Sequence, residues 1–399
     1  MIFNNLLSLQ KRKIFAVLTF FLLSYFLIST GLQVNSSFHR LGNKVSLVLF
    51  ASIYLLVYQK IKYNRIFNYY LAFIGWSIIG AFLVAVDSSI ALDQIERLIS
   101  IYLMSIVVYS AFYEFENFKI LAWVLVIGGL LSAYGYLLGM GNSEIIYANS
   151  GRFQGLTNNP NSLATNLFYV IIGVFYLFAK KDNKFLKSLL LVAFFISIYT
   201  LFFTGSRKFA LYIIIVSGVI IILKYNKPKH LIFIALLGGT FIFLGYEQLM
   251  NLFKQTELYL RFTNETSLEQ AGNTRLMAQV EAFKVFFNHP FFGVGLENLK
   301  VVSIGTAHGY IAEVVASGGI IAFTLLFAMY YKYGKKTIEF YKNHPNNIEA
   351  LFVLICLLAF FLTSFGFHYY NSITHWFIFA ATYAYLKKQE RNEVEHNSM

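Results

Sequence analysis

The chain is made of apolar runs near twenty residues long, separated by short polar clusters. A run of that length, wound as helix, crosses roughly 30 Å of hydrocarbon. In lipid only helices and closed barrels satisfy their own backbone polar groups. A barrel would show short alternating segments, and the sequence has long continuous ones. The expected fold is therefore all-α and polytopic. Composition agrees: 58% of the 399 residues are hydrophobic and 13% charged, against about 25% charged in soluble domains.

The expected spans are Ile14–Thr30, Val45–Gln59, Tyr69–Val86, Leu98–Tyr113, Ile120–Leu138, Ser162–Ala179, Leu186–Phe203, Ala210–Leu223, Leu231–Tyr246, Tyr310–Tyr331, Ala350–Phe365 and Thr374–Leu386. This is about twelve transmembrane helices. Nine lie in 1–246 and three in 310–386; a large extracytoplasmic loop with short helices fills 247–309, and 387–399 is a cytoplasmic tail. The net charge of +13 could suggest nucleic acid as a partner, but its placement argues against that. When connections are numbered alternately, one side takes 21 of the 32 basic residues with 8 acids, and the other has 11 of each. Basic excess marks the cytoplasm, so both termini are expected there. No small-residue cleavage site follows the first run, which reads as a span and not a removed signal peptide. The single cysteine, Cys356, lies in a span and can form no internal disulfide.

Chemistry is expected on the outer face. In the long loop, 265–272 reads as a polar, mobile stretch. Asn273 then caps a helix that Pro290 ends. Leu276, Val280, Phe283 and Phe287 form an apolar stripe on that helix, expected to lie against the membrane domain. Gly293-Val294-Gly295 suits a tight turn with close backbone approach; it lacks the GxxxxGK pattern and βαβ context of a nucleotide loop. A second outer connection carries Arg152, Gly155 and Asn159-Pro160-Asn161. On the plain reading the Asn/Pro cluster is a cap and turn.

Four outer arginines, Arg97, Arg152, Arg207 and Arg275, could together hold a diphosphate, since guanidinium matches phosphate oxygens bidentately. Lys208 would add a point charge. Interfacial anchoring by snorkelling is the alternative for Arg207, and plain solvation for Arg152 and Arg275. His308 precedes the tenth span among small neighbours; a helix N-terminus disfavours the imidazolium, so it would stay neutral and able to take a proton. Its alternative role is capping or hydrogen bonding. Glu313, five residues on, could orient His308 or bind a sugar hydroxyl. No HxH, HExxH or carboxylate triplet accompanies the histidines, so neither a metal nor another cofactor is expected.

In this order and on one face, the motifs resemble the O-antigen ligase and polymerase superfamily. Arg152, Gly155 and Asn159-Pro160-Asn161 match the first motif. Gly205-Ser206-Arg207-Lys208 matches a Gly-Ser-Arg-Gly turn with Lys208 in place of the last glycine. Arg275, His289-Pro290, Gly293-Val294-Gly295, His308 and Gly319 follow. The chain departs from the pattern at Gly309, which replaces an asparagine, and at Ser317, which replaces an acid.

The resemblance implies glycan transfer from an undecaprenyl-diphosphate-linked oligosaccharide donor, at the periplasmic or extracellular face of a bacterial inner membrane. The acceptor is another lipid-linked repeat in a polymerase, or lipid A–core in a ligase. His308, Arg275 and Arg207 would be catalytic, and Arg152, Asn159, Lys208, Glu313 and Arg97 would bind substrate. Membrane lipid, a flippase and a chain-length regulator are the further partners it suggests. The His308-Gly309 stretch without asparagine and the Lys/Ile/Phe/Asn-rich composition resemble the polymerase branch of the superfamily. A transporter is the alternative class, but a carrier places charged or broken-helix residues near mid-membrane, and the expected spans carry no Lys or Arg there.

Overall fold

The computed structural model describes residues 45, 48–49, 51–52, 54, 61–115, 118–138, 146–147, 151–157, 159–180, 183–224, 250–251, 253–263, 265–303, 307, 309–365, 370 and 372–397. The expected spans Ile14–Thr30 and Leu231–Tyr246 lie outside the described residues, as does most of Val45–Gln59. The described helices, short ones included, are α1 (Phe67–Leu83), α2 (Ser88–Phe115), α3 (Phe118–Tyr134), α4 (Pro160–Lys180), α5 (Lys184–Phe203) and α6 (Arg207–Lys224). They continue with α7 (Glu257–Thr263), α8 (Glu265–Asn288), α9 (Leu299–Val302), α10 (Tyr310–Asn343), α11 (Ile348–Ser364) and α12 (Ile373–Asn397). A two-stranded hairpin pairs β1 (Ile146–Tyr147) with β2 (Arg152–Phe153). Among the described residues five helices are long and apolar enough to cross a membrane: α2, α3 with its continuation to Leu138, α4, α5 and α10. The protein is a multi-pass membrane protein.

The chain divides into two compact units: residues 1–57, 118–268 and 346–355, and residues 58–117, 269–345 and 356–399. In the first unit α3 and α4 pack side by side, and Asn166 Nδ2 donates to Ser132 Oγ at 3.1 Å between them. Side-chain hydrogen bonds of this kind join helices where apolar packing alone carries no solvent-driven advantage. At the far end of α4, Lys180 pairs with Glu349 at 2.6 Å.

The second unit is held by an aromatic core. Tyr70 lies 3.8 Å from Trp376, Phe67 5.4 Å from Tyr109, and Tyr333 4.9 Å from Phe379, centroid to centroid. Near the Phe67 end of α1, Lys62 pairs with Glu114 at 3.7 Å. At the other end Asp87 opens α2: its Oδ1 accepts from Ser89 N at 2.9 Å and Ser89 Oγ at 2.6 Å. The Ser89 hydroxyl bond leads the lowering of the Asp87 pKa. This cap starts the helix ten residues before Leu98, the expected start of the span. Asp93, Glu96 and Arg97 are therefore helical, and Arg97 is not in an outer connection.

The largest departure from the sequence reading lies in α10. Twenty residues of straight helix would separate Tyr310 from Tyr330 by about 30 Å, yet their ring centroids are 6.1 Å apart. The helix breaks at Gly319 (φ 71°, ψ −171°) and the nine residues 310–318 fold back along the longer half. Those nine do not make the outer part of a span; the continuous helix begins at Ile320. Of these nine, Ile311 is the one left exposed, so the short half is buried nearly all round.

Breaking a helix strands its last carbonyls, and here the final three find donors. Val294 N donates to Ala316 O at 3.0 Å and Gly295 N to Ser317 O at 2.9 Å. Trp76 Nε1 donates to Gly318 O at 2.9 Å, with its ring stacked 4.4 Å from Phe292. On the other side of the break, Ile320 N reaches Pro290 O at 2.8 Å. Asn298, fully buried, ties the same turn to the α1–α2 connection through bonds of 2.7 and 3.1 Å with the Asp87 backbone.

Helix α8 differs from expectation in two ways. It is continuous from Glu265, so the stretch 265–272 is helical and Asn273 is not its cap. The stripe Leu276, Val280, Phe283 and Phe287 is exposed, and α8 packs instead through Ala278 and Ala282. Ala282 shares a core with Leu299, Ala307, Ala312 and Ala316. Small residues allow this approach, which a Leu or Phe face would prevent.

A Cβ at Gly319 would sit 2.0 Å from Phe291 O and its φ is one that L residues avoid. Gly319→Ala is expected to lower stability by about 3 kcal/mol, and Asn298→Ala by about 1–3 kcal/mol. Thermal unfolding of the purified full-length protein checks both; unchanged melting would rule out the interlock.

Candidate functional site

The expected site residues fall into two groups, one in each unit. In the first unit the turn between α5 and α6 is three residues long, Thr204–Ser206. It delivers Arg207, half-buried, to the first position of α6, with Lys208 beside it. Lys208 Nζ lies 5.4 Å from the centre of the Phe209 ring. Arg207 thus stands at the N-terminus of an 18-residue helix, whose dipole favours an anion.

Arg152 is only 9% exposed. Its Nε donates to Thr204 O at 2.6 Å and its Nη2 to Asn161 Oδ1 at 3.2 Å. Ser206 Oγ donates to the same Asn161 oxygen at 3.0 Å. Asn159 is the cap of α4, its Oδ1 accepting from Ser162 N at 2.9 Å with Pro160 as first helical residue. That is the plain reading of the Asn/Pro cluster, and Pro at this position costs no hydrogen bond. Gly155 (φ 56°) lets the loop touch α3: a Cβ there would be 2.5 Å from Ser132 O.

In the second unit, Glu313 is 1% exposed in the first turn of α10. Its Oε2 accepts from Ala307 N at 2.9 Å and its Oε1 from Ser317 Oγ at 3.4 Å. The carboxylate therefore grips the backbone immediately before His308, while His308 itself lies outside the described residues. Both departures from the family pattern have neighbours that bear on them. Ser317, standing where the pattern has an acid, donates to Glu313. Gln279 Nε2 lies 3.2 Å from where a Cβ on Gly309 would be, so an amide from α8 abuts the residue that lacks one.

Arg275 is exposed on α8, and Arg97 is exposed on α2. Burial holds the Tyr370 hydroxyl well above its ordinary pKa; Glu313 and Glu297 push the same way and Arg97 opposes them. His375 is buried with Nδ1 2.6 Å from Ser372 Oγ and Nε2 3.3 Å from Thr363 Oγ1. Both ring nitrogens are engaged within the protein. Asn161 and Ser206 are the residues whose part sequence reasoning missed, although both stood inside quoted motifs.

Residues 192–327 match the family model described as O-Antigen ligase. That interval covers about a third of the chain and contains Arg207, Lys208, Arg275, His308 and Glu313; Arg97, Arg152 and Asn159 precede it. The relation to the O-antigen ligase and polymerase superfamily, read from the motifs, is supported by this match. No curated protein matches the chain.

Replacing Glu313 separates its acceptor role from its charge. Glu313→Ala leaves the buried Ala307 N–H without its partner and is expected to cost about 1–3 kcal/mol of stability. Glu313→Gln keeps one carbonyl oxygen for that N–H and should stay nearer the parent. Equal melting of the two variants, measured by thermal unfolding, would count against the contact.

Proposed function

We propose that the protein polymerises undecaprenyl-diphosphate-linked oligosaccharide repeats into a polysaccharide, at the outer face of a bacterial inner membrane with both termini in the cytoplasm. The observation that supports glycan transfer, common to polymerase and ligase, is the family match over the interval that holds Arg207, Arg275 and His308; the choice of polymerase rests on the resemblance of the His308-Gly309 stretch and the composition to the polymerase branch. The structure adds local support: Arg207 occupies a helix N-terminus and Glu313 fixes the backbone next to His308.

In the reaction, the acceptor hydroxyl oxygen attacks the anomeric carbon of the donor sugar. The bond from that carbon to the diphosphate oxygen breaks, and its electron pair leaves with undecaprenyl diphosphate. His308 takes the hydroxyl proton. A single displacement of this kind inverts the anomeric centre. Arg207 and Arg275 stabilise the charge growing on the leaving diphosphate, the electrostatic contribution that usually dominates such a rate gain. Lys208 adds charge beside Arg207, and Arg97 is a substrate-binding group on α2. The diphosphate leaves already activated, so the reaction written here calls on no nucleotide.

A second reading is transfer of the glycan to lipid A–core, favoured by the description of the matched family as a ligase. Both readings share donor, leaving group and residues, and differ in the acceptor. Purified protein given lipid-linked repeats alone distinguishes them: long polymer is the expected product, and transfer seen only after lipid A–core is added selects the ligase. Arg207→Ala, Arg275→Ala and His308→Ala should each slow transfer by about a hundredfold or more. Unaltered transfer in the Arg275→Ala, His308→Ala double variant would refute the roles given to these residues, and absence of any transfer by the purified parent protein would refute the enzyme reading.

A further inference from the structure

We infer that Arg152 is a positioning residue that acts through Arg207 and does not itself hold the diphosphate. The inference rests on the proposed role of Arg207, and all the residues it uses lie in the first unit.

Arg152 has the charge and the motif context of a phosphate ligand, but its guanidinium is committed elsewhere. Nine-tenths buried, it donates from Nε to Thr204 O and from Nη2 to Asn161 Oδ1, at 2.6 and 3.2 Å. These two acceptors belong to the elements that flank Arg207. Thr204 is the residue that caps the C-terminus of α5, and Asn161 is the second residue of α4. The Asn161 oxygen then takes the Ser206 hydroxyl at 3.0 Å. One planar fork and one amide so grip the first and last residues of the Thr204–Ser206 turn, and Arg207 follows directly.

The fork itself has a fixed base. Leu156 N donates to Ser132 O at 2.8 Å, docking the 152–157 segment on α3. Thr157 Oγ1 bonds to Gln154 O at 2.7 Å and Asn159 O at 2.9 Å, joining that segment to the cap of α4. Inside the turn, Ser206 N reaches Thr204 Oγ1 at 3.3 Å and Thr204 Oγ1 donates to Leu201 O at 2.7 Å. A continuous set of bonds thus runs from α3, through Arg152, to the start of α6. Lysine could supply the charge but not the fork, because an ammonium is a point donor without the planar pair of edges. A cation that must reach a mobile lipid diphosphate would gain nothing from burial between a carbonyl and an amide. One that sets the direction of its neighbour requires it.

The test measures binding of undecaprenyl diphosphate to the full-length protein in lipid nanodiscs, together with the ligand-induced rise in Tm. The variants are Arg152→Gln, Arg152→Lys, Asn161→Ala, Arg207→Ala and Arg152→Gln with Arg207→Ala. Arg207→Ala should weaken binding about tenfold or more, the loss of one charge-assisted bond. Arg152→Gln, Arg152→Lys and Asn161→Ala should each weaken it severalfold and shrink the ligand-induced rise. The double variant should bind no worse than Arg207→Ala alone, since residues acting as a unit are not additive.

If Arg207→Ala binds normally, the proposed role of Arg207 fails. If Arg207→Ala is impaired and Arg152→Gln multiplies that loss, or if Arg152→Lys restores binding, Arg152 holds ligand by its own charge and the inference is overturned. A purely structural residue would lower Tm without ligand and leave the ligand-induced rise intact, which also overturns it. Should Arg152→Gln fail to fold, Asn161→Ala, which keeps the guanidinium and its charge, decides by the same criteria in combination with Arg207→Ala.

Discussion

The demand that every buried backbone polar group be satisfied governs the second unit. A helix broken at Gly319 releases the carbonyls of Ala316, Ser317 and Gly318 where water is scarce. Two backbone N–H groups of the Phe291–Gly295 turn and the Trp76 indole take them up. Everything near this interlock inherits its geometry: where the short half of α10 points, where Glu313 sits, and which residue of α8 meets the Ala312–Ala316 face. Broken helices in membranes can also mark ion and substrate sites of carriers. Here the freed carbonyls are occupied by protein, so the break serves packing.

Two buried polar side chains then set the surroundings of the expected catalytic groups. Arg152 holds the turn before Arg207, and Glu313 holds the backbone before His308. Both are costly to bury and are acceptable because their partners are close and well placed. The sequence reading let Glu313 orient His308 or bind a sugar hydroxyl, and through the family resemblance gave both residues to substrate. Their burial, 9% and 1% exposed, moves them toward the protein side of the site.

Hydrophobic run length made the all-helical membrane fold legible, because hydrocarbon thickness fixes a length and leaves little else to read. Turn chemistry also showed through: Asn159-Pro160 reads as a helix start in sequence and is one. The fold-back of 310–318 was not legible. Its residues are as apolar as those of a span, and nothing in composition distinguishes one straight helix from two folded together; only the pair Gly318-Gly319 hinted at a break. The α8 packing face was misread for a related reason. A stripe of Leu, Val and Phe is the usual signal of a buried face in water, whereas α8 packs through alanine and leaves its large side chains outward. Charge clusters misled at Arg97, since a helix capped by Asp87 runs straight through them.

The folded-back half of α10 also bears on how the chain is built. Nine residues cannot span a bilayer, so the insertion machinery has no reason to retain them as a membrane segment. Their burial must follow synthesis of the continuous helix beginning at Ile320, and the alanines of α8 and the Phe291–Gly295 turn must already be in reach. Assembly of this corner is thus a step of tertiary folding inside the membrane, and the residues around His308 acquire their setting only when that step is complete.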